Sequence, residues 1–333
     1  MGHRKKHAPK RGSLAYLPRG RANRWRARIR HWPEIEGKPK LLAFSGYKVG
    51  MTHIITIDNK KGSFNFGKEM TLPVTLIDSP PMMVCAVRAY EKSPTGLRTV
   101  TEAWAQDLPK NLGRMLSAPK SQKTEEALKK IEASLAKVHE VRVLITTQPE
   151  LANVPRKTPE IIEIKVSGGA SKDQLDYAKS ILGKEVKASD VFQPGEWVDV
   201  AGITRGKGIQ GPVKRWGIRR KSHKSRKTVR QVGTIGGWNP SYVQYTVPRA
   251  GQTGFHQRIS YSQQIVKIGE DPTEINPKGG FVRSGPIKGS YLMVAGSISG
   301  PSRRLVTLRH AARARITSPI PPKIEYLNIR TEQ

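Results

Sequence analysis

A stretch of seventy residues without an acidic side chain constrains this chain of 333 residues more than any other feature. No Asp or Glu occurs between residues 200 and 269, whereas eleven Lys or Arg lie between Arg205 and Arg230. An unpaired cation is very costly to bury, so this segment cannot fold around its own charges. The opposite charge has to come from another molecule, and the phosphate backbone of a nucleic acid supplies it.

The overall composition is that of a folded basic protein. The formal net charge is +33, yet 36% of the residues are hydrophobic, which is too many for a disordered polycation. The length predicts about two domains. A single cysteine excludes an internal disulfide framework, no apolar run is long enough to span a membrane, and the N-terminus lacks the apolar core of a signal peptide. We therefore expect a soluble, intracellular protein.

The charge is distributed unevenly along the chain. Residues 1–90 carry 18 Lys or Arg against 5 acids, and residues 200–333 carry 24 against 5, but residues 91–199 carry 17 against 16. The two flanking parts are thus suited to a polyanion, and the middle part is typical of an ordinary globular insert.

Short apolar runs separated by turn residues predict a β-rich fold. In the middle part, Glu125 and Glu126 open a predicted helix, and Ser171 with Asp173 opens another that Gly183 ends. β-rich flanks around an α/β insert favour an interrupted barrel. Strands are predicted at 41–58, 70–78, 82–90, 97–104, 141–147, 161–167, 196–204, 245–249, 264–269, 290–297 and 303–309.

The first 33 residues form a predicted basic arm, with eleven Lys or Arg and no acid. We expect the arm to become ordered on its partner, and the alternative is a solvated tail. His3 and His7 lack a third ligand nearby, so no zinc site is expected.

Gly206, Gly208 and Gly211 match the dinucleotide-binding pattern G-x-G-x-x-G. Pro212 and a basic run stand where that motif needs a helix, and no acid follows until Glu270 to bind a ribose. We therefore interpret these glycines as positions where the backbone approaches phosphates closely.

The two tryptophans of the basic segment have different surroundings. Trp216 either packs in the interior or stacks on a base. Trp238 follows Gly236-Gly237 and precedes Asn239-Pro240, which predicts an exposed loop tip that stacks on RNA or meets a partner. The alternative is that the loop folds back and buries it.

No catalytic constellation is visible in the sequence. Cys85 lies in an apolar run and is predicted to be a buried small hydrophobe. His223, His256 and His310 lack carboxylate partners in sequence, which favours phosphate contacts or ordinary hydrogen bonds over acid–base roles. We expect no enzyme activity, no cofactor, no metal and no small-molecule substrate.

One spaced pattern consists of Phe192, Asp199, Gly202, Thr204, Gly206, Lys207, Gly208, Gly211 and Arg215. Four other stretches accompany it: HAPKRGSLAYLPR, IGGWNP, TVPRAGQTGFHQR and GSYLMVAGSISGPSRRLVTLR. Together they resemble the large-subunit ribosomal protein family numbered three, in its archaeal or eukaryotic-like form, and the resemblance covers nearly the whole chain. It implies the following fold and function.

The resemblance implies a translation-protein-type β-barrel with an inserted small α/β domain and long basic extensions. It further implies binding to large-subunit ribosomal RNA beside neighbouring ribosomal proteins, a role in early assembly, and a basic finger that approaches the peptidyl-transferase centre with Trp238 at its tip. The predicted division is an arm at 1–38, a barrel domain at 39–90, 188–204 and 242–333, an insertion at 91–187 and a finger at 205–241.

The residues predicted to bind RNA are mostly the cations of the arm and of the finger. They are Arg4, Lys5, Lys6, Lys10, Arg11, Arg19, Arg21, Arg24, Arg26, Arg28, Arg205, Lys207, Lys214, Arg215, Trp216, Arg219, Arg220, Lys221, Lys224, Arg226, Lys227, Arg230, Trp238, Arg249, His256 and Arg258.

Two other classes of function fit the sequence less well, a DNA-compacting protein and an RNA-modifying enzyme. A DNA-compacting protein would need a recognition helix with basic spacing, and glycine-rich extensions suit irregular RNA better than a regular groove. An RNA-modifying enzyme would need a cofactor pocket or an activated nucleophile, and the sequence offers neither.

Overall fold

The computed structural model describes residues 11–59, 62–117, 123–225, 227–313 and 320–329. Over these residues the protein is β-rich, which confirms the predicted fold class. The strands are β1 (Lys40–Leu41), β2 (Ala43–Ile57), β3 (Glu69–Asp78), β4 (Met82–Ser93), β5 (Gly96–Trp104), β6 (Val138–Thr146), β7 (Ile161–Ser167), β8 (Glu185–Val186), β9 (Trp197–Ile203), β10 (Ile209–Gln210), β11 (Gly251–Gln252), β12 (Gln257–Gly269), β13 (Tyr291–Ala295), β14 (Leu305–His310) and β15 (Lys323–Leu327). The helices are α1 (Thr124–Ala133), α2 (Ser171–Ile181), α3 (Ala188–Val191) and α4 (Pro212–Trp216).

Six strands form a closed ring. Their order is β14-β9-β12-β13-β3-β2, and β14 also pairs with β2, which closes the sheet on itself. One edge of β2 pairs with β3, and the other edge is long enough for two strands: its first half pairs with β14 and its second half with β15. Closure leaves no free edge along the ring, so the backbone of each strand finds partners on both sides.

A second, antiparallel sheet has the order β1-β7-β6-β4-β5, with β8 also paired to β4. Helices α1 and α2 pack on its strands. Both helices match the predictions, since α1 carries Glu125 and Glu126 in its first turn and Asp173 accepts a hydrogen bond from the backbone N–H of Ala170 at 3.0 Å. Leu182 follows the last residue of α2, and Gly183 then takes a positive φ of 75°.

Strand β4 differs from the sequence-based assignment, which placed residues up to 90 with the barrel. It pairs with β5, β6 and β8 of the second sheet instead. The continuous apolar run from Val84 to Val87 is buried on both faces, which suits a central strand covered on either side. Pro80 and Pro81 separate β4 from the barrel strand β3.

The predicted strand at 245–249 is wrong. Val247 donates its backbone N–H to Gln244 O at 3.1 Å, which makes a turn there, and Tyr245 is exposed. Its β-branched and aromatic residues favour a strand, but the described chain places no strand beside them to complete a ladder.

The described chain separates into two compact units. One consists of residues 11–25 and 203–257, and the other of residues 26–202 and 258–329. The larger unit holds both sheets and two hydrophobic clusters. In the larger cluster, barrel residues such as Phe44 and Leu308 join second-sheet residues such as Val143 and Ile164. Cys85 is buried in this unit, and burial raises the pKa of its thiol to about 12, as fits a small hydrophobe.

Candidate nucleic-acid interface

The smaller unit brings residues 11–25 of the basic arm together with residues 203–257 of the acid-free segment. Neither stretch contains an Asp or Glu. Within this unit, we call residues 205–241 the finger, as in the predicted division. The unit therefore cannot neutralise its own cations, whatever conformation it takes.

The two ends of the acid-free segment are held together by a short antiparallel ladder, which forms the root of the finger. Strands β10 and β11 pair, Thr253 donates its N–H to Gly208 O, and Lys207 donates its N–H to Thr253 O, both at 2.9 Å. Gly254 lies at φ 74°, and a Cβ there would meet Arg205 O at 2.1 Å. Only glycine fits at this crossing, so Gly254 is what allows the two backbone segments to meet at the root of the finger.

The glycine pattern leads into a short helix, which the sequence analysis did not expect. α4 begins at Pro212, because a proline at the first helical position has its φ already set and loses no hydrogen bond. It ends after five residues at Gly217, which takes the left-handed conformation with φ 65°.

Trp216 is an interior residue of this unit. Only 5% of it is exposed, its Nε1 donates to Arg249 O at 2.9 Å, and the Arg19 guanidinium lies 3.8 Å from the ring centre. The ring therefore has no open face for a base. Of the two interpretations offered by the sequence, the structure favours packing over stacking.

Three other predicted RNA contacts also have internal roles. Arg19 donates to Arg215 O at 2.6 Å, and Arg215 donates in turn to Gln252 O at 3.0 Å. His256 is buried and its Nδ1 donates to Gly20 O at 2.8 Å. These side chains fasten the arm to the finger root, a function that their charge alone does not reveal.

Two further contacts of the arm were not predicted. Ala22 donates its N–H to Phe255 O at 2.8 Å, and Trp25 packs edge-on against the Phe255 ring at 5.3 Å. Aromatic residues at 25 and 255, far apart in sequence, are the signal that could have pointed to this pairing.

The remaining cations of the unit lie on its outside. Lys221 is half-buried, and the others predicted to bind RNA are exposed: Arg11, Arg21, Arg24, Arg205, Lys207, Lys214, Arg219, Arg220, Lys224, Lys227, Arg230 and Arg249. They carry the net charge of the unit on its surface.

Trp238 is exposed, as the loop-tip interpretation predicts, with 91% of its surface accessible. Ile235, Tyr242 and Val243 line a shallow concavity around it, and Tyr245 is exposed nearby in the sequence. Of these residues, only Trp238 was predicted from the sequence. The spacing of apolar residues through an otherwise polar stretch was the signal that could have indicated the other four.

The other predicted contacts lie elsewhere. Arg26, Arg28 and Arg258 belong to the larger unit, where Arg28 is exposed and the other two are half-buried. Arg4, Lys5, Lys6, Lys10 and Arg226 lie outside the described residues.

The described residues show neither a metal-ligand cluster nor a membrane-spanning helix. They contain no group of three or more His, Cys, Asp or Glu placed to hold a metal ion. None of their helices is both long and apolar enough to cross a membrane.

Comparisons with known proteins give one consistent result. Residues 1–332 match the family described as Ribosomal protein L3. The chain is 45% identical to the large ribosomal subunit protein uL3 of Methanococcoides burtonii, with 99% of each chain covered. It is 44% identical to that of Methanothermobacter thermautotrophicus over 98% of each chain, and 43% identical to that of Methanococcus vannielii over 99% of this chain and 98% of the relative. The chain therefore belongs to the ribosomal protein L3 family, whose members are structural rather than enzymatic components of the large ribosomal subunit.

Proposed function

We propose that this protein binds large-subunit ribosomal RNA through its arm and finger and stabilises RNA packing during early assembly of the subunit. Its cations would release counterions from closely spaced phosphates, so that RNA helices can approach one another. Its partners would then be ribosomal RNA and neighbouring ribosomal proteins in the cytoplasm.

The observation that carries this proposal is the division of the cations in the smaller unit. Arg19 and Arg215 turn inward and donate to backbone carbonyls. The exposed cations have no acid in their own unit to pair with. A surface that is cationic, rich in glycine and held at its root is suited to an irregular polyphosphate.

We further propose that the finger extends toward the peptidyl-transferase centre with Trp238 at its tip. The support is the family membership, the IGGWNP stretch and the exposure of the indole. An exposed indole on a finger can stack on a nucleotide or contact a partner, whereas a buried one could do neither.

The predicted division into arm, barrel domain, insertion and finger is kept as a proposal about function, except that β4 is assigned to the insertion instead of the barrel domain. In it, the insertion at 91–187 presents neighbouring proteins with a surface of nearly balanced charge, while the arm at 1–38 and the finger at 205–241 meet RNA.

Salt-dependent binding tests the proposal. The probe is an archaeal large-subunit rRNA transcript, and the variant changes Arg219, Arg220 and Lys224 to Ala. These residues are exposed, whereas Arg215 is left intact because it holds the finger root. If the three cations contact phosphates, the slope of log affinity against log salt becomes shallower by about 2.

The matched control changes Lys92, Lys157 and Lys172 of the larger unit to Ala, which removes the same charge from exposed positions. It should leave the slope nearly unchanged. Equal slopes for wild type and the finger variant, or equal affinity for duplex DNA in competition, would refute RNA binding by the finger.

A further inference from the structure

The connection between β2 and β3, residues 58–68, displays two phenylalanines to solvent. We call its described residues, 58–59 and 62–68, the β2–β3 loop. Phe64 is 94% exposed and Phe66 is 57% exposed. Phenylalanine is among the residues most often buried, so two exposed rings two positions apart indicate a contact surface.

The described part of this loop is held by hydrogen bonds. Ser63 Oγ donates to Asp58 Oδ2 at 2.6 Å, and the Gly67 N–H donates to Asp58 O at 2.9 Å. The N–H groups of Phe66 and Lys68 donate to Ser63 O and Asn65 O at 3.2 and 2.9 Å. The rings are therefore presented by a defined turn, which lowers the entropy lost when a partner binds.

The charges of the loop favour a nucleotide as that partner. Asp58, the one acid in residues 58–68, is buried and already accepts from Ser63. Lys68 Nζ lies 5.6 Å from the centre of the Phe64 ring. Lys68 lies over one face of this exposed ring, so a base can stack on the other face with its phosphate near the cation, whereas the centres of protein interfaces are depleted in lysine.

The backbone around the rings is also accessible. A Cβ placed on Gly62 or Gly67 would meet no atom within 4 Å, and both residues have positive φ, 84° and 77°. A sugar-phosphate chain can approach these bare positions, as it could not if side chains stood there.

We propose that the β2–β3 loop is a separate RNA contact, in which an unpaired base of large-subunit rRNA stacks on Phe64 while Lys68 neutralises the adjoining phosphate. This inference rests on the proposed function, because it assumes that ribosomal RNA is the partner. It adds a site outside the arm and the finger, with stacking rather than charge alone as its chemistry.

Two substitutions at one position test the stacking. Phe64→Tyr keeps an aromatic face, and Phe64→Leu keeps an apolar side chain without one. With the full chain and the same rRNA transcript, Phe64→Leu should weaken binding about tenfold, and Phe64→Tyr should bind as wild type does. Neither should shift the thermal unfolding midpoint, since the ring is exposed.

Crosslinking identifies the partner directly. A Phe64→p-azidophenylalanine variant, incorporated into large subunits and irradiated, should give a product that ribonuclease trims and that maps to an unpaired nucleotide. A product that ribonuclease leaves intact, or wild-type affinity for Phe64→Leu, would overturn the inference even where the wild-type chain binds the transcript. If the wild-type chain fails to bind the transcript, the proposed function itself is wrong.

Discussion

Asp199 joins several separate segments of the larger unit. It is fully buried and accepts from Arg309 Nη2 at 2.9 Å, from the Ser262 N–H at 3.0 Å and from the Ala312 N–H at 3.2 Å. Arg309 also donates to His31 O, so one ion pair connects β9, β12, β14 and the later part of the arm.

Asp199→Asn should therefore be strongly destabilising. It leaves the Arg309 guanidinium, which is 4% exposed, without its counter-charge, and we expect a loss of about 3–5 kcal/mol in the free energy of unfolding. Urea denaturation of the isolated protein measures it. The control is Glu102→Gln, which breaks a more exposed pair with Arg88 and should cost under about 1 kcal/mol. Similar losses for the two variants would contradict the account.

Asp78 is a buried carboxyl whose ionisation works against folding. Burial raises its pKa to about 6, despite a hydrogen bond from the Asn153 backbone and the nearby charge of Lys288. Because the folded state binds the proton more tightly than the unfolded state, the contribution of Asp78 to stability falls as pH rises from about 4 to 6.

The variant Asp78→Asn should be more stable than wild type at pH 7, by about 1–3 kcal/mol. The difference between the two proteins should shrink toward pH 4, where the folded wild-type carboxyl is protonated and the unfolded one begins to be. Unfolding curves for both proteins between pH 4 and pH 7 provide the measurement. A stability difference that does not change with pH would show that ionisation of the Asp78 carboxyl does not cause it.

At the scale of elements, the finger depends on its glycine root. Gly254 and Gly208 both have positive φ, but a Cβ meets Arg205 O at 2.1 Å only at Gly254, and it meets nothing within 4 Å at Gly208. Gly254→Ala should therefore open the β10–β11 ladder, whereas Gly208→Ala should cost about 1 kcal/mol of backbone strain. Hydrogen exchange at the Lys207 and Thr253 amides distinguishes the two variants, because only Gly254→Ala should make these amides exchange faster. Equal protection in the two variants would argue against the steric explanation.

The arm should depend on Arg19 in the same way. Its planar guanidinium covers Trp216 and donates to Arg215 O, which a lysine cannot reproduce. Arg19→Lys should speed cleavage of the arm by a protease such as trypsin several-fold. Arg24→Lys, at an exposed position, is the matched control and should leave the cleavage rate near that of wild type. If the two variants are cleaved at the same rate, Arg19 does not hold the arm.

The elements show where sequence reasoning succeeds. Helix α2 was predictable because Ser171, Asp173 and Gly183 mark its ends locally. The false strand at 245–249 and the placement of β4 could not be settled in that way, because strand pairing depends on partners far away in the sequence. Likewise, the inward roles of Arg19, Arg215 and Trp216 depend on a contact between positions almost 200 residues apart.

At the scale of the whole molecule, charge and fold are separated. The larger unit holds its core and pairs many of its ions internally, for example Arg142 with Glu140 at 2.7 Å. The smaller unit contains no acid at all. We therefore expect the larger unit to fold without RNA, and the cations of the smaller unit to be neutralised only by a partner.

The most direct test of this account is sedimentation of large subunits from cells that express the tagged full-length chain, before and after a high-salt wash. We predict that the protein stays with the large subunit after the wash, because the proposed function places its arm and finger in contact with RNA. Triple replacement of Arg219, Arg220 and Lys224 by Ala should lower the retained fraction, while the control at Lys92, Lys157 and Lys172 should not. Release of the wild-type protein at modest salt would contradict the account, since its RNA contacts would then be superficial.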